Sequence, residues 1–186
     1  MDLRFADRMN NAQKSFIREI LKVVGNPEII SFAGGLPNPI SFPVKKIQEA
    51  TDKILEEDGE NILQYSTTEG YLPLREYISE RYLKNSGVVV PPDEILITNG
   101  SQQGLDLIGK VFLNKGDCML MEEPGYLGAI QAFSMFEPEF KTVLMNHDGV
   151  DTEKLKESIE KYNPKLFYAV PNFQNPSGIT YSEENR

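Results

Sequence analysis

The chain has 186 residues, of which 40% are hydrophobic and a quarter are charged, and its formal net charge is −9. These values are ordinary for a globular protein with a buried core. The acidic balance argues against nucleic acid as a partner, because binding a phosphate backbone requires clustered Lys and Arg. One cysteine, Cys118, and one histidine, His147, predict neither a disulfide framework nor a metal site.

Residues 1–10 are charged and lack the apolar core of a signal peptide. No stretch approaches the length of a membrane span. We therefore expect a cytoplasmic protein with no membrane partner.

The first ninety residues predict an N-terminal segment of helices and loops. Apolar residues at helical spacing, turn residues and prolines mark its elements. They are a helix at residues 11–24, an extended piece at 29–32, a loop at 34–39, a helix at 43–57, irregular chain at 58–70 and a helix at 73–85. Gly87 is expected to cap the last helix.

From residue 91 onward, short apolar runs alternate with helical patterns. Strands are predicted at residues 94–98, 118–121, 141–145 and 166–170, and helices at 101–113, 126–135 and 151–162. Asp151 is the expected N-cap of the last helix. Cys118 is expected to be a buried core thiol. The alternation predicts an α/β fold, a mostly parallel sheet with helices on both faces, and ligands bind such sheets at the carboxyl ends of the strands.

Three segments after predicted strands are candidate ligand contacts. Gly100 and Ser101 begin a helix after the first strand, where free amides and the helix dipole favour an anion; the alternative is an ordinary turn with Ser101 as N-cap. Tyr126 follows the second strand and has either a ring-stacking role or a packing role between sheet and helix. Residues 171–178 form a Pro-, Asn- and Gly-rich loop, in which the Asn175 amide either donates to a phenolate-like oxygen or bonds its own backbone.

In this order and spacing, five segments resemble the class I/II aminotransferases of fold type I. Within that family they look most like the kynurenine/2-aminoadipate aminotransferase group. The segments are residues 31–39 (Ser-Phe-Ala-Gly-Gly-Leu-Pro-Asn-Pro), 63–66 (Leu-Gln-Tyr-Ser), 100–104 (Gly-Ser-Gln-Gln-Gly), 123–126 (Glu-Pro-Gly-Tyr) and 171–178 (Pro-Asn-Phe-Gln-Asn-Pro-Ser-Gly).

The resemblance implies a pyridoxal 5'-phosphate cofactor, a small-molecule amino acid and 2-oxo acid as substrates, and a homodimer. It implies an N-terminal segment at residues 1–90 and, at residues 91–186, the first part of the cofactor-binding large domain. The implied cofactor contacts are Ser101 and Gln102 at the phosphate, Tyr126 on the ring, Asn175 at the phenolic oxygen and Tyr65 at the phosphate of the neighbouring subunit. The implied substrate contacts are Gly35, Tyr65, Asn175 and Arg18.

The Schiff-base lysine of such enzymes is expected beyond Arg186, so the resemblance assigns no catalytic residue to this chain, which we expect to be inactive alone. The lysines present, for example Lys110, Lys115, Lys154 and Lys165, are interpreted as surface charges. Two alternatives stay open: a non-catalytic binding or dimerisation module with the same fold, and an unrelated α/β enzyme that binds another phosphorylated ligand.

Overall fold

The computed structural model describes residues 4–11, 35 and 37–186. They fall into two compact units, one within residues 14–97 and one within residues 1–13 and 98–186. The predicted helix at residues 11–24 and the extended piece at 29–32 lie outside the described residues, except for Asn11, which ends a 3-10 turn at Asp7–Asn11. No described helix is long and apolar enough to cross a membrane.

The first unit contains two helices, α1 at Val44–Ile62 and α2 at Leu72–Ser86. Helix α1 runs past the predicted end at residue 57, but Asp58 inside it leaves helical geometry with φ −149° and ψ 28°. The predicted stop thus falls at a kink, and a further helical piece follows it. Gly87 ends α2 in the left-handed conformation, with φ 68°, as predicted for a glycine cap.

A buried arginine joins the parts of the first unit. Arg75 on α2 is only 6% exposed. Its Nε donates to the Gly70 carbonyl at 3.1 Å, and its Nη1 donates to the Pro92 carbonyl at 2.9 Å. Pro92 begins a 3-10 turn at Pro92–Glu94. One guanidinium therefore fixes both the turn before α2 and the chain that leaves the unit.

The second unit alternates helices and strands. Its elements in chain order are α3 (Ser101–Phe112), β1 (Cys118–Glu123), α4 (Leu127–Ser134), β2 (Glu139–Asn146), β3 (Gly149–Val150), α5 (Thr152–Tyr162) and β4 (Leu166–Tyr168). The sheet order is β3-β2-β1-β4, with β1 parallel to β2 and to β4, and β3 antiparallel to β2. The predicted α/β fold with a mostly parallel sheet is confirmed.

Side chains of β1 alternate between two apolar cores. Met119 and Met121 pack on one face with Phe133 of α4 and Leu105 of α3. Leu120 points to the other face, where Val143, Val150 and Leu155 of α5 form a second cluster. This period of two buries both faces of the strand, which is why its sequence is a continuous apolar run. Helices therefore cover both faces, as predicted.

Two sequence predictions in this region are wrong. The strand predicted at residues 94–98 is not formed: Glu94 ends the 3-10 turn, and residues 95–98 are not in a strand, although Ile95 is extended. A strand needs a neighbour, and within the described residues the one backbone hydrogen bond from this segment to a distant part of the chain runs from Ile97 N to the Glu69 carbonyl. Cys118 is half-buried rather than buried, because it is the first residue of β1. By contrast, Asp151 caps α5 as expected, its Oδ1 accepting from Lys154 N at 3.0 Å.

Candidate active site

The turn before α3 presents free backbone donors. Gly100 is the N-cap residue, with φ 84° and ψ 168°, and no side chain bonds to the first-turn amides. No atom lies within 4 Å of the position that a Cβ on Gly100 would take, so the backbone is approachable there. Ser101 is therefore the first helical residue and not the N-cap, and its side chain is exposed. The arrangement suits an anion at the helix start.

Gln102 joins the start of α3 to the start of α4. Its Nε2 donates to the Gly128 carbonyl at 3.0 Å. The neighbouring Gln103 accepts at Oε1 from Asn99 N at 2.6 Å, which fixes the turn from the other side. The two helix starts thus lie together at one rim of the sheet.

Tyr126 lies at the same rim as the N-cap residue of α4. Its half-buried ring stacks on that of Tyr168, at the end of β4, with centroids 6.5 Å apart and planes at 25°. A Cβ on Gly128 would come within 2.6 Å of the Tyr126 ring, so the glycine leaves room for it. The ring also packs against the core cluster of α3 and α4. Tyr126 therefore has a packing role, which is compatible with stacking a ligand on its exposed surface.

The loop at residues 171–178 is fixed by Gln174, which is 1% exposed. Gln174 Nε2 donates to the Pro124 carbonyl at 2.7 Å, so the loop is tied to the turn that precedes Tyr126. Asn175 is exposed, and its side-chain amide has no hydrogen bond to any residue that the structure describes. The alternative in which this amide bonds its own backbone is not observed.

A buried carboxylate supports this rim, and the sequence interpretation missed it. Glu122 of β1 is 1% exposed. Its Oε1 accepts from Val170 N at 3.0 Å and from the Tyr181 hydroxyl at 2.5 Å, and its Oε2 accepts from Gln174 Nε2 at 3.2 Å. The sequence did hold a signal, since Glu122 directly follows the apolar run of β1. If the strand continues through this position, the side chain faces the core.

The structure brings together part of the predicted site. Gln102 contacts the turn at Gly128, Tyr126 lies on that turn, and the loop that carries Asn175 is bonded to the same turn at Pro124. Tyr65 and Gly35 belong to the other unit and are both exposed, Tyr65 to 99%. Arg18 lies outside the described residues.

The lysines expected at the surface are found there. Lys110, Lys115, Lys154 and Lys165 are 58%, 75%, 56% and 45% exposed, and each pairs with a carboxylate. Lys165 donates to Asp117, which precedes β1, and this ion pair holds the pKa of Asp117 below its usual value. Lys165 itself precedes β4, so it lies at the amino ends of two parallel strands, away from the rim that carries Tyr126.

Tyr181 predicts a loss of stability in alkali. Burial, and then the hydrogen bond to Glu122 and its negative charge, raise the pKa of the Tyr181 phenol. The folded protein therefore keeps this proton after the unfolded chain has released it above about pH 10, and stability that is present below that pH falls as the pH rises through it. In urea titrations followed by circular dichroism, the free energy of unfolding should decline more steeply above about pH 10 in the wild type than in Tyr181→Phe. Equal slopes in the two proteins would contradict this assignment.

The rim carries several residues of the aminotransferase motifs, and comparisons with known proteins identify the family. The family model "Aminotransferase class I and II" matches residues 33–185. The chain therefore belongs to the aminotransferase class I and II family. Over 174 residues it is 48% identical to the 2-aminoadipate transaminase of Thermus thermophilus, a match that covers 94% of this chain and 42% of that protein. It is 41% identical over 187 residues to aromatic-amino-acid aminotransferase 1 of Thermococcus litoralis, covering 98% and 45%.

Solved structures show the same fold. The kynurenine aminotransferase of Pyrococcus horikoshii, solved with PMP, has a TM-score of 0.88 and 42% identity, and the match covers 97% of this chain and 46% of that chain. The α-aminoadipate aminotransferase LysN of Thermus thermophilus, complexed with N-(5'-phosphopyridoxyl)-L-leucine, has a TM-score of 0.85 and 46% identity, covering 97% and 44%. The chain thus spans less than half the length of each of these relatives.

Proposed function

We propose that this chain supplies half of the active site of a pyridoxal 5'-phosphate-dependent aminotransferase. The enzyme moves an amino group between an amino acid, 2-aminoadipate or an aromatic or similar one, and a 2-oxo acid such as 2-oxoglutarate. The observation that supports this proposal is that three features lie near the carboxyl ends of β1 and β4. They are the free amides of α3, the Tyr126 ring and the Asn175 loop. Ligands of parallel α/β sheets bind at this rim.

The residues present fit a phosphorylated aromatic ring. The first-turn amides of α3 and the Ser101 hydroxyl are donors without a side-chain partner, and the open space at Gly100 admits a phosphate close to the backbone. Tyr126 offers an aromatic surface, and the Asn175 amide is a donor with no other use among the described residues. These groups match the phosphate, the ring and the phenolic oxygen of the cofactor.

The bound cofactor supplies an electron sink for the substrate's Cα. The chain's own residues bind and orient it. Ser101 and Gln102 would hold the phosphate, Tyr126 would lie against the ring, and Asn175 would donate to the phenolic oxygen and border the substrate carboxylate. We assign no catalytic role to the four ion-paired surface lysines, Lys110, Lys115, Lys154 and Lys165.

The proposal extends to the assembly. Tyr65 is almost fully exposed, which supports a role in which it reaches the cofactor phosphate and substrate of a neighbouring subunit. Gly35 and Arg18 border the substrate in this proposal. The enzyme is a homodimer in the cytoplasm, residues 1–90 form an N-terminal segment that lines the substrate site and the dimer contact, and residues 91–186 begin the cofactor-binding domain.

Non-covalent binding of pyridoxamine 5'-phosphate tests the cofactor site without requiring a bond to lysine. We expect Asn175→Ala and Tyr126→Ala each to weaken binding by about tenfold, as the loss of one hydrogen bond or one aromatic contact does. Equilibrium dialysis measures the affinity, with adenosine monophosphate as a competitor that should have no effect. Matched controls are Asn85→Ala and Tyr82→Ala, which change exposed side chains on α2 in the other unit.

Wild-type affinity in Asn175→Ala and Tyr126→Ala, as in the two controls, would contradict the proposed site. Displacement by the nucleotide would also contradict it and favour another phosphorylated ligand. Formation of glutamate from 2-aminoadipate and 2-oxoglutarate is the corresponding activity assay. In a protein that also carries the Schiff-base lysine, cofactor binding without any turnover across amino donors would favour the non-catalytic module.

A further inference from the structure

A buried acid and a buried amide form a pair beneath the rim. Glu122 and Gln174 are each 1% exposed, and Gln174 Nε2 lies 3.2 Å from Glu122 Oε2. Burying a carboxylate is costly unless its oxygens are hydrogen-bonded. Here both oxygens are used, since Oε1 accepts from Val170 N and from Tyr181. The pair is therefore a satisfied polar network in a place where apolar side chains would also have packed.

Gln174 uses both ends of its side chain. Beyond Glu122, its Nε2 donates to the Pro124 carbonyl at 2.7 Å, and its Oε1 accepts from Ser177 N at 2.8 Å and from Ser177 Oγ at 2.6 Å. Its backbone N also donates to the Ile179 carbonyl at 2.8 Å. These directional bonds hold Gln174 in one orientation.

The next residue along the chain is Asn175, whose own amide has no hydrogen bond to the described residues. The position from which its side chain extends is therefore set by the backbone that Gln174 fixes. The side-chain Nε2 of Gln174 is bonded to the carbonyl of Pro124, two residues before Tyr126. One buried side chain thus connects the turn that carries the ring contact with the loop that carries the amide contact.

We propose that Gln174, held by Glu122, is a positioning residue that aims the Asn175 amide at the ring oxygen of the cofactor. This inference rests on the proposed function. Neither Gln174 nor Glu122 touches the ligand; they act through Asn175. Without the side-chain bonds of Gln174 to Glu122, Pro124 and Ser177, the loop keeps its contacts with Tyr181 and Arg186, through Tyr181 N and Arg186 Nη2 to the Pro171 carbonyl, but the direction of Asn175 is no longer fixed.

The test compares two ligands that differ only in that ring oxygen: pyridoxamine 5'-phosphate and its 3-deoxy analogue. The wild type should bind the first more tightly by about tenfold, the value of one hydrogen bond to a charged oxygen. Asn175→Ala should reduce this ratio to about one, since the donor is gone. Gln174→Met should reduce it to about twofold or less while the phosphate contacts remain. Equilibrium dialysis gives both affinities for each protein.

A second variant guards against a Gln174→Met protein that does not fold. Glu122→Gln keeps an oxygen for Val170 N and Tyr181 but turns an amide donor toward Gln174 Nε2. It should lower the ratio in the same direction but by less than Gln174→Met, because the Pro124 and Ser177 bonds remain. Tyr181→Phe is the matched control, because it removes a hydrogen bond to Glu122 without touching Gln174. Its ratio should stay at the wild-type value.

These outcomes distinguish failure of the positioning role from failure of the proposed function. Wild-type ratios in Gln174→Met and Glu122→Gln, with a lowered ratio in Asn175→Ala, would overturn the positioning role and leave the proposed function standing. Equal weakening of both ligands in the Gln174 and Glu122 variants would also overturn it, because that result indicates general loosening of the loop. A wild type that binds neither ligand overturns the proposed function and this inference with it.

Discussion

Replacing Glu122 with leucine is expected to lower the free energy of unfolding by about 3–5 kcal/mol, a large share of a typical domain's stability. The change removes the acceptor of three hydrogen bonds in a site that is 1% exposed. Val170 N and the Tyr181 hydroxyl both lose their partner, while Gln174 Nε2 retains the Pro124 carbonyl. Buried donors left without an acceptor account for most of the cost.

Urea unfolding followed by circular dichroism measures the effect, and the dependence on urea should keep the wild-type slope if only stability changes. Glu122→Gln should cost less, about 1–2 kcal/mol, because one oxygen remains for Val170 N and Tyr181. Glu123→Leu is the control at the next position, where the carboxylate is exposed and bonded to Thr142 Oγ1. A loss at Glu122 no greater than that at Glu123 would show that the buried network contributes little.

Replacing Arg75 with methionine is expected to lower the free energy of unfolding of the first unit by about 2–4 kcal/mol. Methionine keeps much of the length and apolar contact of arginine but leaves the Gly70 and Pro92 carbonyls without this donor. The guanidinium also lies 3.5 Å from Asp93, whose side chain is 95% exposed. The Asp93 pair should contribute little, since solvent screens exposed charges.

Asp93→Asn is therefore the matched control, with an expected change below about 0.5 kcal/mol. The loss of stability in Arg75→Lys should lie between the losses in Arg75→Met and Asp93→Asn, because an ammonium group cannot reproduce the fixed fork of the guanidinium. Hydrogen exchange of α2 amides gives a local readout within residues 14–97. Equal effects of Arg75→Met and Asp93→Asn would assign the stabilisation to the surface ion pair and contradict the role of the two carbonyls.

The helices and the parallel strands were predictable because their signals are local. Asp151 at the start of α5 and Gly87 at the end of α2 act through bonds to residues within one turn. The strand predicted at residues 94–98 is not formed, because an apolar run does not reveal whether a neighbour will pair with it. Strand β3 was missed because two residues carry no periodic pattern.

The residues of the candidate site also divide into those with a local sequence signal and those without one. Gly100, Tyr126 and Asn175 were visible because each belongs to a turn directly after an apolar run, and turn residues have recognisable chemistry. Glu122 and Gln174 were missed, although one is the penultimate residue of β1 and the other precedes Asn175. Their role depends on a contact between residues 52 positions apart, and composition alone predicts that such polar side chains lie at the surface.

Strand β4 pairs with β1 along one side through residues 166–168, and its other side has no strand partner within the described ranges. The N–H and C=O groups along that side form an open edge, beside which Phe167 is 36% exposed. An unprotected edge is a template for a further strand, whether from the same polypeptide or from another molecule. A strand that joined there would extend the sheet beside the segment that leads from β4 to the Asn175 loop.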